Sequence, residues 1–149
     1  MKQSTTGAPA QKSPFHPRAA AATVIDVMRL PLTTAEQYDH VAAAAYLMKH
    51  AGTTALMVVN AQTGQPAGII TQANIARAIA HRKDLNNIRV HAAMTTRPAV
   101  NTKTSIRDAA TIMTTRHFRH LPVTGDAGLL GVIDIIDVCR ALNNAGAAN

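Results

Sequence analysis

Two short motifs carry most of the polar chemistry in this sequence. Thr71-Gln72-Ala73-Asn74 and Asp134-Ile135-Ile136-Asp137 stand 63 residues apart, and each follows an apolar run led by glycine, Gly68-Ile69-Ile70 or Gly131-Val132-Ile133. A hydroxyl or carboxylate followed three residues later by an amide or carboxylate fits the start of a helix. The first side chain accepts from an N–H of the opening turn and the second bonds back. The same place presents unpaired N–H groups and a partial positive charge, so it also suits an anionic ligand. A cap alone is worth roughly 0.5 to 2 kcal/mol and requires no ligand. A second polar cluster, Arg116-His117-Phe118-Arg119-His120, precedes the run Leu121-Pro122-Val123. It offers cations to a phosphate, or else forms a solvated helix end whose charges suit the C-terminal dipole.

Covalent chemistry finds no support. The sequence has no Gly-x-Gly-x-x-Gly, no phosphate loop ending in Gly-Lys-Ser/Thr and no His-Glu-x-x-His. Its histidines stand at 16, 40, 50, 81, 91, 117 and 120; only His117 and His120 share helical spacing, and no Cys or acid adjoins them. No metal site is expected. Ser4, Ser13 and Ser105 lack a partner that would activate a nucleophile, so neither catalytic residues nor a catalytic cofactor are expected. Cys139 is the single cysteine and reads as a buried small apolar side chain.

An internal repeat positions the two motifs. Val41, Ala44, Ala45 and Met48 have the i, i+3, i+4, i+7 spacing of one helix face, and Ile106, Ala109, Ala110 and Met113 reproduce it 65 residues later. Each amphipathic helix is followed by a short apolar run, Ala55 to Val59 or His120 to Thr124, which the pattern predicts as a buried strand. Pro122 cannot donate to a ladder, which places its strand near a sheet edge or puts the proline at a strand start. After a turn containing Gly64 or Gly128 comes a second strand, Gly68 to Thr71 or Gly131 to Asp134. A helix then begins in both halves, with Ile75, Ala78 and Ile79 matched by Val138, Ala141 and Leu142, and with Arg77 and Arg140 outside. Here the offset falls to 63, so the first half has a turn two residues longer, around Ala61 to Pro66. Ahead of each unit, Val24 to Met28 and Val90 to Met94 read as a helical turn leading into an extended segment. Each half is thus a β-α-β-β-α unit, and the fold class is α/β (α+β). At about 60 residues neither half buries enough apolar area alone, so the two should pack sheet to sheet about a pseudo-twofold axis.

Composition agrees with one compact unit containing both copies, since 149 residues leave no room for two large domains. The chain is 47% apolar with no Trp, two Phe and two Tyr, so its core must be aliphatic. No apolar run approaches the roughly 20 residues that cross a bilayer, and the first residues lack a secretory apolar stretch. A cytoplasmic protein without membrane contact is expected. The formal net charge of +7 favours polyanionic partners, nucleotide phosphate or nucleic acid. Residues 1–22 are rich in Ser, Thr, Pro, Gly and Ala, carry Lys2, Lys12 and Arg18, and read as a disordered basic arm. The repeats then occupy 23–87 and 88–145, with a disordered tail at 146–149.

Met28 or Met94 ahead of an extended segment, an Ala-rich helix, Arg119-His120-Leu121-Pro122-Val123 and then Gly131-Val132-Ile133-Asp134-Ile135-Ile136-Asp137 together resemble the CBS domain. The likeness spans the chain beyond about residue 23, with Gly-Ile-Ile-Thr-Gln-Ala-Asn and Gly-Val-Ile-Asp-Ile-Ile-Asp at matching places. It implies a tandem pair, or Bateman module: a non-catalytic regulator whose clefts between the repeats hold AMP, ADP, ATP, S-adenosylmethionine or a related adenosyl ligand. In that family the hydroxyl of Gly-x-x-Ser/Thr-x-x-Asp faces phosphate and the carboxylate holds the ribose hydroxyls. Thr71 and Asn74 take those places in the first repeat, and Asp134 and Asp137 in the second. Arg119 and His120 resemble phosphate contacts, with Thr54 and Ala55 as their first-repeat equivalents; Thr34 and Thr102 complete the implied ligand positions. The resemblance also implies a homodimer and a regulated protein that the sequence does not name.

Two rival readings stand beside it. A nucleic-acid-binding regulator would grip phosphate backbone with the basic arm and the Arg-His cluster, although two Phe give single strands little stacking platform. An interaction scaffold would leave the clefts empty. Under the adenosyl reading the clefts are expected to be unequal. Thr71 welcomes a phosphate, which Arg119 and His120 could reach from across the pseudo-twofold axis, whereas Asp134 sets a carboxylate where the family has a hydroxyl.

Overall fold

A computed structural model describes residues 22–30 and 33–147. Each half opens on a helical turn, a 3-10 turn at Val24–Asp26 in the first and the four-residue helix α3 at Val90–Ala93 in the second. The first half continues with β1 (Thr34–Glu36), α1 (Val41–Ala51), β2 (Ala55–Val59), β3 (Pro66–Thr71) and α2 (Gln72–Ala80). The second repeats that order with β4 (Val100–Asn101), α4 (Ile106–Arg116), β5 (His120–Gly125), β6 (Gly128–Asp134) and α5 (Ile135–Ala147). Two three-stranded sheets result, ordered β1-β2-β3 and β4-β5-β6, each with one parallel and one antiparallel ladder. Even the irregularities repeat: the register shifts at Val58/Val59 in one sheet and at Val123/Thr124 in the other.

The buried faces follow the helical and strand periods. Val41, Ala44 and Met48 of α1, and Ile106, Ala109 and Met113 of α4, are buried. Leu56, Val58 and Ile70 join the first core, while Leu121, Val123 and Ile133 join the second. Their strand neighbours Met57, Ile69, Pro122 and Val132 therefore point to the opposite face of each sheet. Ser105 caps α4 by accepting from the Asp108 N–H at 3.0 Å. His40 makes no such bond, and the first N–H groups of α1 donate instead to the Ile88 and Leu85 carbonyls at 3.0 and 2.9 Å.

Packing departs from the sequence repeat in one respect. Val24, which precedes the first half, is buried in the second core with Val100, Ile106, Leu121 and Ile133; Val90, which precedes the second half, is buried in the first core with Ala35, Val41, Leu56 and Ile70. The lead-in segments cross. Arg29 bonds Val132 of β6 in both directions at 2.8 and 2.9 Å, and Thr95 bonds Ile69 of β3 in both directions at 2.9 Å. Glycine marks each crossing: a Cβ on Gly131 would lie 2.8 Å from the Arg29 carbonyl oxygen, and one on Gly68 2.5 Å from that of Thr95. The exchange stitches the halves into one unit.

Several expectations are corrected. Pro122 is the third residue of the central strand β5, neither at an edge nor at a strand start. The strand tolerates it because Val132 opposite spends both backbone groups on Arg29, while β4 is two residues long and pairs only with Val123 and Thr124. Ile79 is 58% exposed, since the buried stripe of α2 runs through Asn74 and Ala78 and Ile79 lies about 100° round the helix from Ala78. Cys139 is exposed, one position and about 100° round the helix from buried Val138. Ala22, assigned to the arm by composition, is buried in the second core, and its carbonyl accepts from the Ile106 N–H at 3.2 Å. The remainder of the expected arm, 1–21, lies outside the described residues. Helix α5 runs on to Ala147, through the first residues of the expected tail; 148 and 149 lie outside the described residues. No helix among the described residues is long and apolar enough to cross a membrane.

Candidate functional site

Between the two sheets opens a cleft of about 430 Å³, a volume that takes a small-molecule ligand. The first half supplies the end of α1 and the start of β2, from Gly52 to Ala55, with Met57 and Ile69 from its sheet. The second half supplies His120, Val132 and Asp134, and the crossing lead-in adds Arg29, Leu30 and Thr33. Four of the residues expected from sequence are thus brought together: Thr54, Ala55, His120 and Asp134. Asn74 lines a separate groove of about 380 Å³, beside Arg77, His81 and Lys83. Thr71, Asp137, Arg119, Thr34 and Thr102 line neither.

The first motif is a closed cap. Thr71 Oγ1 accepts from the Asn74 N–H at 3.2 Å and donates to Asn74 Oδ1 at 2.9 Å, and the Thr71 N–H also donates to Oδ1 at 2.8 Å. Asn74 Nδ2 then donates to Thr95 Oγ1 at 3.1 Å, so this buried amide has partners at both ends. A buried amide needs such partners, and the cap accounts for both residues.

The second motif carries charges and is bonded differently, with no bond between its two acidic side chains and the opening backbone of the kind that closes the first. Asp134 Oδ1 accepts from the Ile136 N–H at 2.7 Å and Oδ2 from His120 Nε2 at 3.0 Å. Asp137 accepts from Arg29 through both oxygens, Nε to Oδ2 at 2.8 Å and Nη2 to Oδ1 at 3.0 Å. Arg140 approaches Oδ1 at 3.5 Å. This two-point geometry is the strong form of an arginine–carboxylate contact. The hydrogen bond to Asp137, then its charge, holds the Arg29 guanidinium above its ordinary pKa. Arg29 stands to Asp137 as Thr95 stands to Asn74. The motif search missed Arg29, yet the signal was present: Arg29 follows Met28 as Thr95 follows Met94, and the Thr-to-Arg change accompanies an Asn-to-Asp change in the partner motif.

His120 turns to Asp134 of its own half rather than across to Thr71. Burial pushes its imidazole below the ordinary value, aided by the neighbouring charges of Arg119 and Arg97. The charge and hydrogen bond of Asp134 pull the other way and are outweighed. His120 is therefore neutral at pH 7, and its contact with Asp134 is a hydrogen bond from Nε2–H. Arg97, whose guanidinium lies 4.1 Å from the Phe118 ring centroid, is itself lowered by burial. A depressed histidine means that the unfolded chain binds more protons once pH falls below about 6.5, so acid costs stability between that value and the lowered one in the fold. His120→Gln should flatten this part of the curve. Urea midpoints of both proteins between pH 7.5 and 5 would show it, and parallel curves would contradict it.

The family model of the CBS domain matches the chain twice, at residues 24–81 and 88–144. A protein of Acidianus ambivalens, described as an uncharacterized 17.7 kDa protein in the bps2 3′ region, is 33% identical over 123 residues, which cover 82% of this chain and 70% of the relative. A CBS domain pair solved in complex with 5′-methylthioadenosine and S-adenosyl-L-methionine matches with a TM-score of 0.71 and 23% identity, over 83% of this chain and 98% of that one. CBSX2, solved in complex with AMP, matches with a TM-score of 0.67 and 24% identity, over 84% of this chain and 98% of the other. The last two likenesses are of fold. Two family matches in one chain, each with its helix, antiparallel strand pair and capped final helix, establish that this protein belongs to the CBS-domain family as a tandem pair.

Proposed function

We propose that this protein is a non-catalytic regulatory module that binds an adenosine-type ligand, AMP, ADP, ATP or S-adenosylmethionine, in the cleft between its repeats and passes occupancy to a protein partner. The observation that carries the reading is the cleft itself. It is walled by both repeats, with the strand-to-helix motif of the second half at one side and the hydroxyl-bearing segment Thr53-Thr54 of the first at the other. Two CBS pairs of the same fold are solved with AMP or with methylthioadenosine and S-adenosylmethionine, which supports the ligand class. Asp137, on the first turn of α5, is the carboxylate suited to ribose hydroxyls, and the apolar wall of Met57, Ile69 and Val132 suits a purine. A melting screen tests the reading. At one hundred times its Kd, a ligand confined to the folded state adds about 2.7 kcal/mol, a shift of several degrees. No shift with any adenosyl compound would contradict it.

A homodimer accompanies this reading. Ala44 and Ala109 are fully buried within their own halves and serve internal packing, whereas Ala43 is exposed. The outer faces of α1 and α2 carry Tyr46 and Ile79, both large and more than half exposed. We expect light scattering to give twice the 15.7 kDa of the chain. A monomer at every accessible concentration would contradict the dimer.

A further inference from the structure

We propose that Arg29 sets the ligand preference of the cleft: paired with Asp137 it withholds that carboxylate from an uncharged nucleoside, and a phosphate-bearing ligand releases it by drawing the guanidinium onto itself. This rests on the reading of the cleft as an adenosyl site with Asp137 as the ribose acceptor.

Arg29 already competes for the carboxylate that a ribose diol would use. Both Asp137 oxygens accept from Arg29, and the carboxylate is 11% exposed. Asp137 does not line the cleft, whereas Arg29 does. The backbone of Arg29 is fixed, because its N–H and carbonyl both bond Val132 and its carbonyl presses on Gly131. Its side chain is 69% exposed and is held through its two hydrogen bonds to Asp137. A long side chain on an anchored backbone can change partner without disturbing the fold. When it leaves, Arg140 at 3.5 Å still faces Asp137.

Charge in the cleft gives phosphate the means to move it. Asp134 presents a carboxylate to the cleft, and among the lining residues Arg29 is the one with a permanent positive charge. An incoming phosphate thus meets repulsion from Asp134 unless Arg29 turns to it. An uncharged nucleoside has no group to offer in exchange and must compete with a two-point ion pair for Asp137. The first half shows the contrast. There the corresponding pair is Asn74 with Thr95, neutral and part-buried, with no cation in the pair itself.

Calorimetric titration of adenosine and of AMP into the full chain and into Arg29→Ala tests the proposal. The parent protein should prefer AMP. In Arg29→Ala, adenosine should bind about fivefold tighter, the size of effect that release from a partly exposed ion pair gives. AMP should weaken, so the preference collapses. A measurement on the parent protein needs no variant: inorganic phosphate at constant ionic strength should tighten adenosine binding severalfold by drawing Arg29 away. An unchanged AMP-to-adenosine ratio in Arg29→Ala, or adenosine binding that phosphate leaves alone, would overturn the inference while leaving the adenosyl site standing. If neither ligand binds either protein, the adenosyl reading itself falls and the inference falls with it.

Discussion

Gly68→Ala is expected to destabilise the protein by about 2 to 3 kcal/mol, at the upper end of what one added methyl does in a tight interior. The new Cβ would sit 2.5 Å from the Thr95 carbonyl oxygen and 3.1 Å from Met94 Sδ. The nearest atom is backbone and cannot rotate away. To make room, the lead-in segment must lift off β3 and lose the paired 2.9 Å bonds between Ile69 and Thr95. Gly131→Ala should behave alike, with contacts of 2.8 Å to the Arg29 carbonyl and 2.9 Å to Met28 Sδ, but somewhat less severely because its backbone contact is 0.3 Å longer. Gly146→Ala is the control: it lies in α5 with nothing within 4 Å, and should be neutral or gain up to about 1 kcal/mol in helix propensity. Urea unfolding of the three variants decides the point. If Gly68→Ala matched Gly146→Ala in stability, the crossing would not be the joint between the halves.

The second large effect concerns Asp134. Its Oδ1 caps α5 through the Ile136 N–H, and its Oδ2 accepts from a neutral His120, which leaves Arg29, already paired with Asp137, as the cation that feels its charge at the cleft wall. Two like charges about 4 Å apart at an effective dielectric near 20 repel by roughly 4 kcal/mol, an upper bound once solvent and Arg29 respond. Asp134→Thr removes the charge and keeps a capping oxygen. AMP should therefore bind Asp134→Thr about tenfold tighter or better, a gain of at least 1.4 kcal/mol, while adenosine affinity changes little. Calorimetry with both ligands separates the charge effect from a general change of shape. Equal gains for adenosine and AMP would contradict the electrostatic account.

Local periodicity made most of the architecture legible. The i, i+3, i+4, i+7 face of α1 and α4, the apolar runs of β2 and β5 and the matched Gly-led strands each lie within a dozen residues, where 3.6 and 2.0 periods show directly. The crossing of the lead-in segments was not legible. Val24 and Val90 are both valines ahead of equivalent units, and either would fit either core, so pattern cannot assign them. The Arg29–Asp137 pair spans 108 positions and is visible only when the two repeats are compared position by position. At Thr71 and Asn74 the sequence is ambiguous for a physical reason: a cap and an anion site require the same side chains at the same spacing, and only the structure shows the hydrogen bonds that close the Thr71–Asn74 cap, with Asn74 Nδ2 donating onward to Thr95 Oγ1. His117 ends α4 at φ 57 where Gly52 ends α1 at φ 64, a left-handed cap that a search for glycine finds only once.

The central claim, that an adenosyl ligand occupies the cleft between the repeats, is tested most directly by titrating AMP into the parent protein and into Ala55→Trp. Ala55 opens β2 and lines the cleft, and strand alternation sets it on the same face as Met57, away from the helix-packed Leu56. An indole there fills the space without entering either core. The account predicts saturable AMP binding to the parent and its loss in Ala55→Trp, with the variant still folded by circular dichroism. Undiminished AMP affinity in a folded Ala55→Trp, or no saturable heat with the parent, would contradict it.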